Sequence, residues 1–369
     1  MKKPLSIYVH VPFCAAKCAY CDFASFPGRE GEWERYFQAL LAELRGWREA
    51  LRSHEIRTVF FGGGTPTLVP AAYIAGVLDA LPVAPDAEIS IEGNPGTLPP
   101  EKLAAYRAAG VNRLSLGAQS FDDGMLKALG RVHTAAQIAG GVAMARDAGF
   151  ENVSLDLIYG LPGQKMGRWI DTLDAAVALG VEHLSAYSLI VEPGTPMAAR
   201  VAAGEAVLPG DDETVAMQRE ANARLAAAGY RRYEISNYAR PGFECRHNLV
   251  YWTRGEYLGL GCAAHSLMDG CRFHNPASLD EYLAGERRLD SERLTGADAR
   301  EETLMLSTRL ARGLDLEAWQ AAFGEPFHRG REAALRRLQD GGLVETTEGF
   351  LRLTPRGMEL HNAVVLELM

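Results

Sequence analysis

No run of about eighteen apolar residues occurs in this 369-residue chain, which excludes a membrane-spanning helix. The first apolar run is broken by His10 and Pro12, so the N-terminus does not read as a signal peptide. Basic side chains are in deficit, 38 against 47 acidic ones, and the formal net charge of -9 opposes non-specific binding of the whole molecule to nucleic acid. Cysteine is sparse: six residues, three clustered and three dispersed (Cys245, Cys262, Cys271), unlike a secreted disulfide framework and closer to metal ligands in a reducing compartment. No short-period repeat or low-complexity tract interrupts the pattern. The expectation is a cytoplasmic protein of about two to three domains, one large core with an appendage.

What is present is concentrated in residues 8–23, Tyr-Val-His-Val-Pro-Phe-Cys-Ala-Ala-Lys-Cys-Ala-Tyr-Cys-Asp-Phe, where three cysteines take the spacing CxxxCxxC just after an apolar run. Cys14, Cys18 and Cys21 can converge only if the loop wraps around something. Three thiolates on one tight loop suit a [4Fe-4S] cube, which normally has four protein ligands, so one iron would stay open to a small molecule. A zinc knuckle with its fourth ligand elsewhere, or three unrelated buried cysteines, are the plainer readings of the same spacing.

Along the chain, short apolar runs alternate with helical patterns, as βα units do. Strands are expected at 5–11, 56–61, 88–91, 113–116, 153–158 and 183–190, with helices at 32–51 and near 71–81, and with Pro99 and Pro100 opening another. Six successive units imply parallel strands with right-handed crossovers. The chemically interesting residues fall at strand C-terminal ends, where parallel βα barrels build their sites, so the expected fold is α/β, a partial (βα)6 barrel with the cysteine loop at its mouth. Beyond residue 190 the pattern changes. Residues 231–235 read as a strand and 238–275, rich in aromatic, Gly, His and Cys residues, as irregular strands and loops. Residues 298–369 read as helices followed by a hairpin, a winged-helix-like module. The expected division is 1–237, 238–297 and 298–369.

Gly62-Gly63-Gly64-Thr65-Pro66 ends the second expected strand and lets backbone approach a ligand closely, although a glycine run alone is also a plain turn. Glu92 and Asn94 end the third and can bond ribose hydroxyls. Gln119, Arg131 and Asp156 are polar residues near the same mouth, each taken singly a candidate surface residue.

CxxxCxxC, Gly-Gly-Gly-Thr-Pro, the strand-end Glu92 and the order of βα units together resemble the radical S-adenosylmethionine (SAM) enzymes over about residues 1–237. The resemblance implies that Cys14, Cys18 and Cys21 hold a [4Fe-4S] cluster whose open iron binds SAM. It also implies that the reduced cluster passes one electron to the sulfonium, chemistry that belongs to the cofactors. On the family pattern Tyr8, Gly63 and Glu92 would contact the SAM at the cluster. Tyr20, Gly64, Thr65, Gln119, Arg131 and Asp156 match positions that contact a second SAM in the coproporphyrinogen dehydrogenase branch.

The Tyr-Val-His-Val-Pro-Phe-Cys opening, Arg131-Val132-His133-Thr134 and the C-terminal module resemble the oxygen-independent coproporphyrinogen III dehydrogenase group. That group carries CxxxCxxCxC, whereas Phe23 stands here at the last position, which points instead to the related haem-chaperone branch. His247-Asn-Leu-Val-Tyr251-Trp252 is similar to the HNxxYW motif of that branch, preceded by Tyr233-Glu-Ile-Ser-Asn-Tyr-Ala239. An imidazole beside Tyr251 and Trp252 offers an iron ligand and flat apolar surfaces for a porphyrin, with Cys245 as an alternative soft ligand. The plainer reading is a hydrogen-bonded core histidine among packing aromatics. Residues 259–266 resemble the family's glycine-rich loop near the barrel mouth, and His265 could serve either the site or packing.

In the C-terminal module Glu332 and Asp340 interrupt Arg329, Arg331, Arg336 and Arg337, and acids outnumber bases, so packing over the barrel fits better than DNA binding. The resemblance therefore implies a protein that binds haem, SAM and a [4Fe-4S] cluster and delivers haem to recipient haemoproteins, with peripheral membrane contact and oligomeric state open. The rival readings are oxidative decarboxylation of coproporphyrinogen III and a zinc-stabilised scaffold with a DNA-binding tail.

Overall fold

The computed structural model describes residues 2–369. Six strands, β1 (Lys3–Val11), β2 (His54–Gly63), β3 (Val83–Gly93), β4 (Arg113–Gln119), β5 (Val153–Tyr159) and β6 (His183–Ser188), pair in parallel in chain order. Each of β1 to β5 is followed by helix, as the βα reading expects, including α1 (Trp33–Leu51), whose Tyr36, Phe37, Leu40 and Leu44 are buried against the sheet. The partial (βα)6 barrel read from the sequence is the fold observed.

Strict alternation along these strands separates two surfaces. On β1, Leu5, Ile7, Val9 and Val11 are buried in the core under the helices, while Ser6, Tyr8 and His10 point the other way, into the lumen. The same holds for Ile89 and Ile91 against Glu88, Ser90 and Glu92 on β3, and for Leu114 and Leu116 against Arg113 and Ser115 on β4. The apolar face anchors the helices; the lumen is polar.

The sheet continues past both ends of the six strands. On one side β7 (Arg231–Arg232) and β8 (Asn237–Ala239) add antiparallel strands to β6. On the other, β9 (Tyr257–Leu260) pairs in parallel with β1 and is extended by β10 (His265–Met268), β11 (Cys271–His274) and β12 (Leu289–Arg293). The full order is β12-β11-β10-β9-β1-β2-β3-β4-β5-β6-β8-β7. The stretch 238–275 alternates short strands, the helix Arg246–Trp252 and loops, and the strands of 238–297 extend the sheet of the barrel. Its strands are too short to show a period, and Gly259 is needed where a Cβ would sit 2.1 Å from the His265 carbonyl oxygen. The expected strand at 231–235 stops at Arg232, because the Arg232 guanidinium turns back onto the carbonyls of Glu234 and Ile235.

Residues 296–368 form a separate small core around Leu304, Trp319, Leu338, Leu351 and Val364, with helices α2 (Gly296–Ser307), α3 (Leu316–Phe323) and α4 (Glu332–Asp340) and the hairpin β13 (Val344–Thr347) and β14 (Phe350–Leu353). This is the winged-helix-like module, and two of its arginines are used internally. Arg331 donates to the Leu368 carbonyl and lies over the Phe327 ring at 4.9 Å, and Arg337 pairs with Glu367. The module docks on the barrel through Arg219–Glu359 (2.7 Å), Arg309–Glu234 (3.4 Å) and Glu302, which takes both Arg254 and Arg272.

The N-terminal side of the lumen is closed by the short helix Arg246–Trp252. Its first two amides, at Arg246 and His247, both donate to the buried Glu88 carboxylate at 3.0 Å, and the Cys245 thiol lies 3.6 Å from the same group. Glu88 thus neutralises the positive end of a helix that follows it by about 160 residues. Glu88→Ala leaves these donors unpaired in the interior, and we expect a loss of about 3 kcal/mol of unfolding free energy in urea titrations, with Glu88→Gln losing less.

Candidate functional site

The mouth of the barrel opens into a cavity of about 510 Å³, a size suited to a small-molecule ligand. Cys14, Cys18, Tyr20, Cys21, Gly63, Gly64, Thr65, Glu92, Gln119, Arg131 and Asp156 all line it. Residues spread over 143 positions are therefore brought to one space by strand ends and the loop after β1.

The loop carrying the cysteines is held at several points. His10 accepts from the Tyr8 hydroxyl at Nδ1 (3.0 Å), so its Nε2 carries the proton and donates to the Ala24 carbonyl at 2.8 Å. Burial keeps this imidazole neutral, with a pKa lowered to about 4. The same ring dictates Gly63: the residue has φ +107°, and a Cβ there would lie 2.4 Å from the imidazole. Farther along, the Ala19 amide donates to Leu129 O (3.0 Å), and the Ala19 carbonyl accepts from the Met197 amide (2.8 Å). Tyr8 does not line the cavity; it acts through His10 on the loop.

The thiols sit in two different polar settings. The Cys14 sulfur lies 3.6 Å from the Thr65 hydroxyl, and an Arg131 nitrogen donates to the Cys18 sulfur at 3.4 Å. Burial raises the pKa of Cys14 and Cys21. All three are free and partly accessible. No group of three His, Cys, Asp or Glu side chains among the described residues is placed to hold a single metal ion. Three thiols on one loop that share the cavity are a ligand set of the kind a [4Fe-4S] cluster takes.

Arg131 ties the sulfurs to the strand ends, donating also to the Gly117 carbonyl (2.7 Å) and to the Asn94 side chain, while Asn94 donates to Thr65 at 3.0 Å. Deeper in the lumen the carboxyl of Glu92 accepts from the Gly63 amide (3.2 Å), but burial and then the charge of Asp156 raise its pKa to about 8. Asp156 is itself raised by burial, offset by bonds from Ser185 and Ser115. Two carboxyl groups in one buried space make a site for a positively charged ligand group, which would draw the proton off Glu92.

The expected haem residues His247, Tyr251 and Trp252 sit apart from the cavity. His247 is fully enclosed, stacked on Phe60 at 5.2 Å, and both ring nitrogens are engaged: Nδ1 with the Thr58 hydroxyl (2.7 Å) and Nε2 with the Tyr251 hydroxyl (2.9 Å). Thr58 donates onward to Ser6, so it accepts from Nδ1–H, and Nε2 accepts from Tyr251. An iron at Nε2 would have to displace the Tyr251 hydroxyl. Burial lowers the His247 pKa to about 3. Trp252 lies at the joint with the C-terminal module, with the Arg309 guanidinium 4.4 Å over its ring. Cys245 is buried with its thiol on Glu88, and its pKa is raised to about 12. His265 stacks on His274, away from the cavity.

Sequence reading missed Arg113, Ser115, Ser185 and Asn248, which also line the cavity. The signal was available: each of the first three is a polar residue in a strand whose neighbours at odd spacing are apolar. Arg113 is 2% exposed, and its buried Nε has no hydrogen-bond partner. Its charge is balanced at longer range by Glu88 and Asp156.

Comparison with known proteins bears on the same residues. The model of the Radical SAM superfamily matches residues 8–176, and that of the HemN C-terminal domain matches residues 294–360. The chain is 42% identical over 380 residues to "Heme chaperone HemW" of Mycobacterium tuberculosis, covering 100% of this chain and 95% of that one. It is 34% identical to the protein of the same name from Bacillus subtilis, covering 97% of each. Among solved structures, the coproporphyrinogen III oxidase HemN from Escherichia coli superposes with a TM-score of 0.86 at 26% identity, over 100% of this chain and 90% of that one.

The carboxyl pair gives a pH test. Glu92 titrates near 8 in the folded chain and near 4.5 unfolded, so between these values the native state holds a proton that the unfolded state has lost, and its stability declines as pH rises. Glu92→Gln removes that decline. In ligand-free protein the stability of the variant relative to wild type is expected to grow from pH 5 to pH 8, by at most about 1.4 kcal/mol per pH unit, in urea titrations at each pH.

Proposed function

The chain belongs to the HemW haem-chaperone family of radical SAM proteins, and from that membership we propose that it binds haem and passes it to haemoproteins in a reducing compartment. The observation that carries the reading is full-length identity of 42% to a haem chaperone, against 26% to the coproporphyrinogen oxidase that shares its fold. Phe23 supports it, since the oxidase-like pattern has a cysteine there. No helix among the described residues is long and apolar enough to cross a membrane.

In this reading Cys14, Cys18 and Cys21 hold a [4Fe-4S] cluster, and Tyr20, Gly63, Gly64, Thr65, Glu92, Gln119, Arg131 and Asp156 border SAM. Together the two cofactors supply one-electron chemistry when bound. The protein's share is positional. Arg131 offers hydrogen bonds and positive charge to the sulfur of Cys18, Glu92 and Asp156 offer negative charge to a cationic ligand, and the His10–Ala24 bond keeps the loop closed over the strand ends.

Anaerobically reconstituted protein titrated with haemin is expected to give a saturable Soret shift at micromolar haemin, and a flat titration would end the haem-chaperone reading. His247→Ala breaks the chain from Tyr251 through the imidazole to Thr58 and is expected to lower the urea midpoint, by about 2–4 kcal/mol in free energy. Loss of haemin affinity at unchanged stability would instead make His247 a direct ligand. Incubation with coproporphyrinogen III, SAM and dithionite is expected to yield no protoporphyrin product.

A further inference from the structure

The floor of the cavity holds a cation whose hydrogen-bonding capacity the chain leaves partly unspent. Arg113 is almost wholly buried, lines the cavity, and has no hydrogen-bond partner at Nε. Its register partner across the β3–β4 pair, Ser90, also has a buried Oγ without a partner. The carboxyl groups that balance its charge are engaged elsewhere: Glu88 takes the amides of Arg246 and His247, and Asp156 takes the Ser115 hydroxyl at 3.1 Å. Buried polar groups are normally paired, and a guanidinium carries five donors, so an incompletely paired one beside a cavity offers itself to an acceptor from outside the chain.

The strand register gives its depth. Glu92 pairs with Ser115 and Ser90 with Arg113, so Arg113 lies two residues, about 7 Å, below the layer of Glu92. Asn248, the residue of the closing helix Arg246–Trp252 that lines the cavity, completes the wall on the closed side of the lumen. The same helix feels the guanidinium: burial lowers the basicity of His247, and the charge of Arg113 lowers it further. The cavity is thus layered, with thiols at the mouth, carboxyls beneath them, and a guanidinium and an amide at the floor.

Resting on the haem-chaperone reading, which supplies the ligands, we propose that Arg113 and Asn248 form a carboxylate-binding subsite at the floor of the cavity. The guanidinium fork takes the carboxylate and the Asn248 amide donates beside it. A carboxylate is selected because its two oxygens match the paired donors of a guanidinium. Both ligands of that reading carry one, SAM on its methionine end and haem on its propionates.

The test compares each ligand with a form that lacks the free carboxylate: SAM with decarboxylated SAM, and haemin with haemin dimethyl ester. Each is titrated against anaerobically reconstituted wild type, Arg113→Met, Arg113→Lys and Asn248→Asp. The readout is the ratio of dissociation constants within a pair, which a general loosening of the lumen leaves unchanged because it weakens both members alike. For one pair this ratio is expected to fall at least about tenfold in Arg113→Met and in Asn248→Asp, and less in Arg113→Lys, which keeps the charge. A fall confined to the SAM pair assigns the carboxylate to methionine; one confined to the haemin pair assigns it to a propionate. Ratios equal to wild type in both pairs would overturn the subsite and leave the haem-chaperone reading standing. A wild type that binds SAM but no haemin would overturn that reading, while the SAM pair still decides the subsite, and a wild type that binds neither would overturn both. If Arg113→Met does not fold, Asn248→Asp carries the same test, since the first turn of a helix favours an acidic residue.

Discussion

The bond between the Glu88 carboxylate and the amides of Arg246 and His247 is the constraint on which the rest of the structure depends. An open barrel of six parallel strands leaves a lumen, and a lumen lined by serine, glutamate, arginine and histidine cannot be closed by apolar packing. Something polar must seal it without stranding donors. A helix N-terminus does so only if an acceptor inside the lumen meets its first amides, and Glu88, pointing inward from β3, is that acceptor. Once the helix is seated, His247 reaches Thr58 on β2 and Trp252 reaches Arg309 of the C-terminal module. One carboxylate therefore couples the inside of the barrel to the docking of a second core.

Charge in the lumen follows from the same enclosure. Burial lowers the basicity of His10, His183 and His247, so they serve as neutral relays, each with one nitrogen donating and the other accepting. Burial acts oppositely on Glu92 and Asp156, which hold protons more tightly than free carboxyls do. A cationic group brought between these two carboxyls would favour their ionised forms. The buried Arg113, whose Nε has no hydrogen-bond partner, sets a positive charge among Glu88 and Asp156.

How much of this could be read in advance depends on the range of the interactions. The parallel barrel was legible because each strand run is long enough to show its neighbours, and the cysteine loop because its ligands lie within eight residues. The polar residues at the strand ends were legible as a set, since the fold rule for parallel strands places them together. The partners of His247 were not. Thr58 and Ser6 lie about 190 and 240 residues away, on strands whose inward face becomes known only when the barrel closes, and a motif of His, Tyr and Trp looks alike whether its imidazole is free or spent. Strands β8 to β12 were hidden for a different reason: at three to five residues they are too short to show alternation, and they are held by pairing with a neighbour rather than by their own pattern.

Phe23 separates the two demands placed on the cysteine loop. Its neighbours Cys14, Cys18 and Cys21 are partly sheltered and tied by Thr65, Arg131 and the Ala19 amide, whereas Phe23 stands outside in water, its carbonyl held by Lys17. A cysteine at this position would add a thiol next to the cluster loop; a phenyl ring adds only apolar surface and no ligand. Apolar surface in water gains free energy when something covers it, and on this chain the other exposed apolar groups that could share a cover with Phe23 are on β6 and just beyond it. The loop thus faces two ways, inward with sulfur toward the cavity and outward with a phenyl ring toward water, and the opening between those faces is the cavity mouth.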